Sequence, residues 1–182
     1  MIVTFTLIIV GIFLIQIPIC TVDSITVNCT MPVPNTCNFY MDCLEKKFHC
    51  GNKGYPLEFG LKYCEKFSEN AHLFSSSGKE WVSKTKLCLQ DSLVQVYEND
   101  SSTCSEIKDK ALSSHANCYV SSGICLLPPS DWLALFETID FRDLFGNLPI
   151  VKFFEQELKT AVSCGEFYIY LVKSLETHRH KL

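Results

Sequence analysis

Lys and Arg (16 together) are outnumbered by Asp and Glu (20), giving a formal net charge of −4. A nucleic-acid backbone is met by clustered Lys and Arg, and this balance does not supply them, so nucleic acid is excluded as a partner. No Cys-x-x-Cys pair occurs, which removes the ligand or redox geometry of a zinc ribbon or a thioredoxin-like protein. There is no His-Glu-x-x-His and no Gly-x-Ser-x-Gly, so metalloprotease and hydrolase readings lose their motifs. No adjacent cysteine pair precedes a His, as a secreted phospholipase A2 would require. No alternating apolar and polar run is long enough to build a sheet. Charged side chains are missing altogether from Met1 to Cys20.

That last absence sets the compartment. Ile2 to Ile15 is almost all Ile, Leu, Val and Phe, the apolar region of a secretory signal peptide, and Gln16 and Pro18 end its helix. A cut after Cys20 or Ser24 leaves small residues at the cleavage point, so residues 1–20 are read as the signal peptide. The alternative is an uncleaved anchor. No Lys or Arg follows until Lys46, so nothing fixes an anchor's orientation. Cleavage is favoured, and it leaves no stable membrane insertion.

Eleven cysteines in 182 residues are several times ordinary usage and mark an oxidising, extracellular destination. Without Cys20, ten remain: Cys29, Cys37, Cys43, Cys50, Cys64, Cys88, Cys104, Cys118, Cys125 and Cys164. Ten is even, enough for five disulfides with no thiol left over. The length suits one domain with a tail. A collagen, a low-complexity chain and a cytosolic Rossmann enzyme are excluded.

Along the mature chain, Ile25 to Thr36 is rich in Pro and Thr and reads as an extended lead-in. From Cys37 the periodicity is helical. Phe59, Tyr63 and Phe67 fall at i, i+4 and i+8 on one face. Ser75-Ser76-Ser77-Gly78 reads as the break after that helix. A second helix carries Trp81, Thr85, Cys88, Ser92 and Val96 on one stripe, with Lys84, Lys86 and Asp91 off it. Asn99 to Ser102 is the next turn. A third helix carries Cys104, Ile107, Ala111 and Cys118 until Gly123. Leu127-Pro128-Pro129 is a stop, followed by a fresh start with Ser130 as N-cap and Asp131 at the positive end of the helix. Gly146 to Pro149 opens a final helix. There Phe154, Ala161, Tyr168 and Leu175 interleave with Val151, Leu158, Gly165 and Val172 as a heptad. Packing on its own domain is the simpler use of that face, and self-association is the sharper one. The expected fold class is all-α, a disulfide-braced antiparallel helical domain over residues 29–176. A short polar tail, 177–182, follows.

Two N-glycosylation acceptors occur, Asn28-Cys29-Thr30 and Asn99-Asp100-Ser101. Asn99 lies in a predicted turn and is the better candidate. Asn28 precedes a cysteine expected to be bonded, which restricts access. His49, His72 and His115 stand alone, and His178 and His180 flank Arg179 on the tail, so no catalytic or metal constellation is assigned. Asp140, Asp143, Glu155 and Glu157 lack the loop spacing of an EF-hand. No cofactor is implied.

The intervals between cysteines are distinctive: 23 residues between Cys64 and Cys88, then 15 to Cys104, 13 to Cys118 and 6 to Cys125. With Tyr63-Cys64-Glu65-Lys66-Phe67, Gly78-Lys79-Glu80-Trp81-Val82, Leu87-Cys88 and Cys118-Tyr119, this ladder resembles the stanniocalcin family of secreted glycoprotein hormones from about Cys29 to Cys164. The resemblance implies the pairs Cys29–Cys43, Cys37–Cys64, Cys50–Cys104, Cys88–Cys118 and Cys125–Cys164. Two also make physical sense. Antiparallel packing of two helices joined near Asn99 would bring Cys88 to Cys118, and Cys125–Cys164 would tie the last hairpin to its closing helix.

The resemblance further implies a hormone-like regulator linked to calcium and phosphate homeostasis. Such a protein has no active site and acts on a receptor or on a secreted protease, since family members inhibit secreted metalloproteinases. Family members that form disulfide-linked dimers use a cysteine beyond the position of Cys164, which this chain lacks. A non-covalent homodimer through residues 150–175 is the remaining self-association. The alternative, a saposin-like lipid-binding module, calls for fewer cysteines at other intervals.

Overall fold

A computed structural model describes residues 27–139, 159–166 and 169. The signal segment 1–20, the opening and most of the heptad of the final helix, the four carboxylates from Asp140 to Glu157, and the tail with His178 and His180 lie outside the described residues.

Helices dominate the described chain. Helix α1 begins as a π-helical run, Phe39–Glu45, and continues as Lys46–Phe48. Helix α2 repeats the pattern, with a π-helical run Pro56–Leu61, an α-helical run Lys62–Glu69, and a closing 3-10 turn Asn70–Leu73. Helices α3 (Ser76–Asp91), α4 (Val94–Glu98) and α5 (Cys104–Ser121) follow. A 3-10 turn, Ile124–Leu126, leads to α6 (Pro129–Thr138), and residues 159–166 form α7. No residue among those described is in a strand.

The ends of α5 explain its length. Thr103 accepts from the Glu106 N–H while the Glu106 carboxylate accepts from the Thr103 N–H and hydroxyl, a complete capping box. Those bonds hold the Glu106 carboxyl below its ordinary range. At the far end Gly123 has φ +101, a left-handed conformation that glycine adopts without a Cβ penalty. Trp81, near the start of α3, donates from Nε1 to the Tyr119 carbonyl near the end of α5 at 3.2 Å. Leu93, just past the end of α3, shares a core with Ile107 in the first turns of α5. The pair is therefore antiparallel, and Cys88–Cys118 crosses between them.

Two apolar clusters form the interior. The first gathers Phe39, Leu44, Tyr55, Phe59, Leu93 and Ile107 from α1, α2, α5 and the turn after α3. The second gathers Phe74, Trp81, Tyr119, Ile124, Leu135 and Cys164. Each fully buried Phe, Leu or Ile contributes about 1.5–3 kcal/mol over its exposed state. The two π-helical runs meet where the Tyr40 ring lies on Gly60, so close that a Cβ on Gly60 would come within 2.4 Å of Cδ1. Only glycine admits that approach.

Local expectations fail in three places. Ser75-Ser76-Ser77-Gly78 is a helix start rather than a break: Ser75 is the N-cap of α3, accepting from the Gly78 N–H at 3.2 Å, and the chain turns at Phe74. The second helix ends at Asp91 and restarts at Val94, with Lys86 turned inward instead of off the buried face. The N-cap of α6 is Pro128, not Ser130, because Pro129 takes the first helical position, where a missing N–H costs nothing.

Candidate functional site

Three features of the described surface and interior bear on function: the disulfide frame, the two glycosylation acceptors, and a cavity between the two cores. The structure joins Cys29 to Cys43, Cys37 to Cys64, Cys50 to Cys104, Cys88 to Cys118 and Cys125 to Cys164. Their Cα–Cα distances run from 5.2 to 5.8 Å, inside the window in which a disulfide closes without backbone movement. Three of the bonds hold the first core together, binding the lead-in to α1, the entry of α1 to α2, and the loop after α1 to the start of α5.

Asn28 and Asn99 are both exposed. Each side chain closes an Asx turn onto its own sequon. The Thr30 N–H and hydroxyl donate to Asn28 Oδ1 at 3.0 and 2.8 Å, and the Ser101 N–H donates to Asn99 Oδ1 at 3.1 Å. The bonded Cys29 does not bury its neighbour. Beside Asn99, Lys47 reaches from α1 to Asp100 at 2.7 Å, donates to the Tyr97 carbonyl, and sits 4.7 Å from the Tyr97 ring centroid. The hydrogen bond from Lys47 and its charge hold the Asp100 carboxyl below its ordinary range.

The cavity, of about 100 Å³, lies where α2, α3 and α5 face one another. Phe59, Tyr63 and Phe67, the three aromatics on one face of α2, all line it. Trp81, Thr85 and Lys86 of α3, with His115 and Tyr119 of α5, supply the opposite walls. Tyr40 and Tyr55 also line it, and burial raises both phenols, so they stay neutral at physiological pH. Burial pushes the His115 imidazole down, and its Nδ1–H donates to the Ala111 carbonyl at 2.7 Å, which makes it a packed, neutral ring standing edge-on to Tyr119. His49 and His72 lie on other elements, His72 bonded to the Glu69 carbonyl. Among the described residues no three His, Cys, Asp or Glu side chains gather as a metal site.

Two inward polar groups escape sequence reasoning. Lys86 is only 7% exposed, and its ammonium donates to Ser68. A usable signal exists, because Val82 and Leu89 flank Lys86 at i−4 and i+3 on one apolar stripe. Asp131, fully buried, accepts from the Ser75 N–H at 2.8 Å and the Ser75 hydroxyl at 2.6 Å, so α6 caps the N-cap of α3. Nothing local marks a contact between residues 56 apart.

The Stanniocalcin family model matches residues 19–179. Stanniocalcin-2 of Rattus norvegicus is 24% identical over 103 residues, which cover 57% of this chain and 33% of that protein. The match thus spans about a third of the length of this curated relative. No solved structure matches the chain. With the family model covering nearly all of the helical, five-bond framework, this chain belongs to the stanniocalcin family.

Proposed function

We propose that this protein is a secreted, glycosylated, hormone-like regulator that acts by binding another protein and performs no catalysis. The family match across residues 19–179 carries the reading, because stanniocalcins are hormones. A disulfide-bound set of helices also suits the role, since it holds a surface rigid and so lowers the ordering cost of association. The partner is a cell-surface receptor or a secreted metalloproteinase, in the setting of calcium and phosphate homeostasis. The same proposal includes a non-covalent homodimer through residues 150–175, the self-association alternative to packing of that heptad on its own domain. Secretion is supported by the apolar, uncharged segment from Met1 to Cys20, and among the described residues no helix is long and apolar enough to cross a membrane. A saposin-like lipid carrier is not favoured, since family membership already accounts for the cysteine ladder.

The test uses full-length protein secreted from a eukaryotic host with its disulfides intact. It is titrated against secreted metalloproteinases and applied to epithelial cells while calcium and phosphate flux are recorded. The expected result is saturable inhibition or a saturable flux response, with no turnover of substrate by the chain itself. Retention of the protein inside the host cell, or hydrolysis by the purified chain, would overturn the reading. Size-exclusion chromatography with light scattering tests the homodimer, and a monomer at every concentration contradicts it.

A further inference from the structure

The cavity between the cores has an unbalanced chemistry. Its walls are aromatic, with Phe59, Phe67, Trp81 and Tyr119 contributing ring faces and edges, and no Asp or Glu is among its lining residues. One lysine, Lys86, is among them. A buried charge is ordinarily paired, yet the hydroxyl of Ser68 is the partner here. An ammonium carries three donors, so this bond leaves two for something else. Beside it, the Thr85 hydroxyl is buried, on a residue only 5% exposed, and has no hydrogen-bond partner. Ser68 is itself exposed, whereas Phe59, Trp81 and Tyr119 are buried. The Lys86 side chain thus runs along the cavity wall toward the surface at Ser68, with those three rings inside. A compact acid entering rings-first would put its carboxylate where a cation waits without an anion.

We propose that this cavity binds a small carboxylic acid with an apolar body, its ring or short chain among Phe59, Trp81 and Tyr119 and its carboxylate on Lys86. Size restricts the class. Apolar cavities of about 150 Å³ take benzene, so about 100 Å³ encloses at most one ring or a short chain, with the acid end left toward the mouth. A sterol or a two-chain lipid does not fit. Apolar contact supplies most of the affinity, and the charge-assisted bond to Lys86 supplies selectivity for an acid over its neutral analogue. The site stands whether or not the hormone-like reading holds.

The test titrates 3-phenylpropionate, and separately 3-phenyl-1-propanol, into the full disulfide-bonded chain by calorimetry. Trp81 fluorescence is followed in a Trp132→Phe background. The expected result is one saturable site at which the acid binds at least tenfold more tightly than the alcohol. Lys86→Met keeps the apolar stem and removes the charge, and should bring the acid down to the alcohol's affinity while leaving the alcohol unchanged. A pH titration of the unsubstituted chain carries the same question should that variant not fold. Acid affinity should fall as Lys86 deprotonates, with alcohol affinity flat. The proposal is overturned by the absence of saturable acid binding up to millimolar concentration, by equal affinity for acid and alcohol, by a Lys86→Met variant that binds the acid like the parent, or by an acid affinity indifferent to that deprotonation.

Discussion

Asp131 makes the most demanding stability prediction, because its role crosses between elements that sequence places far apart. It is fully buried and takes two hydrogen bonds from Ser75, one from the backbone and one from the hydroxyl. That hydroxyl in turn accepts from the Gly78 N–H, so one carboxylate orders the whole first turn of α3. A hydrogen bond to a charged acceptor is worth about 1.5–3 kcal/mol, and Ser75 is half-buried and recovers some water when the partner is lost. The lower end of the range for each bond gives Asp131→Ala a cost of about 3 kcal/mol. At about 2–4 °C per kcal/mol for a chain of this size, Tm falls by about 6–12 °C. Asp131→Asn keeps one acceptor and should lose about half as much.

Gly78→Ala tests the same joint sterically, since the added Cβ would stand 2.5 Å from Asp131 Oδ2, and it should destabilise although alanine is the better helix former. The assay is thermal unfolding followed by circular dichroism without reductant, with five intact disulfides verified by mass. Ser75→Ala alone and with Asp131→Ala completes a double-mutant cycle that should show coupling of about 0.5–3 kcal/mol. An Asp131→Ala midpoint within 1 °C of the parent, or strictly additive variants, would refute the capping role.

Removing the α3–α5 bridge with Cys88→Ala and Cys118→Ala opens a loop of 30 residues, and the chain-entropy relation gives a loss of about 3.6 kcal/mol, read as a lower urea midpoint with the other four bonds intact. Burial holds the His115 pKa below its unfolded value near 6.5, so the unfolded chain binds the proton more readily. Stability is therefore complete above about pH 6.5 and falls by at most about 1.4 kcal/mol per pH unit below it, until the folded imidazole also titrates. Urea unfolding at pH 7.5 and 5.5 should show that loss, and His115→Gln should diminish it. Enzymatic deglycosylation of the secreted protein should remove one glycan mass for each occupied acceptor, with Asn99→Gln and Asn28→Gln each abolishing one step and both together abolishing the shift.

The succession of helices was legible because it rests on local rules, and the antiparallel pairing of α3 and α5 came with the Cys88–Cys118 bond that the resemblance implies. The i, i+4, i+8 spacing of Phe59, Tyr63 and Phe67 placed three rings on one face, and that face lines the cavity. The capping box at Thr103 and Glu106 is written in four consecutive residues and was available to the same rules. What failed depends on contacts across the chain. Ser75 to Gly78 has the composition of a turn, but Asp131 converts it into a capped helix start. Lys86 is charged and so reads as solvent-facing, yet its stem fills an apolar stripe while its head finds Ser68. The π-helical openings of α1 and α2 meet where Tyr40 seats on Gly60, and no local pattern carries that contact.

The central claim is a stanniocalcin-family framework of helices held by five particular bonds, and a non-reducing peptide map with intact mass on protein secreted from a eukaryotic host tests it most directly. The account predicts ten fewer hydrogens than the fully reduced mature chain, no free thiol, an N-terminus after Cys20 or Ser24, and linked peptides for Cys29–Cys43, Cys37–Cys64, Cys50–Cys104, Cys88–Cys118 and Cys125–Cys164. Free thiols, or peptides joining any other partners, would contradict it.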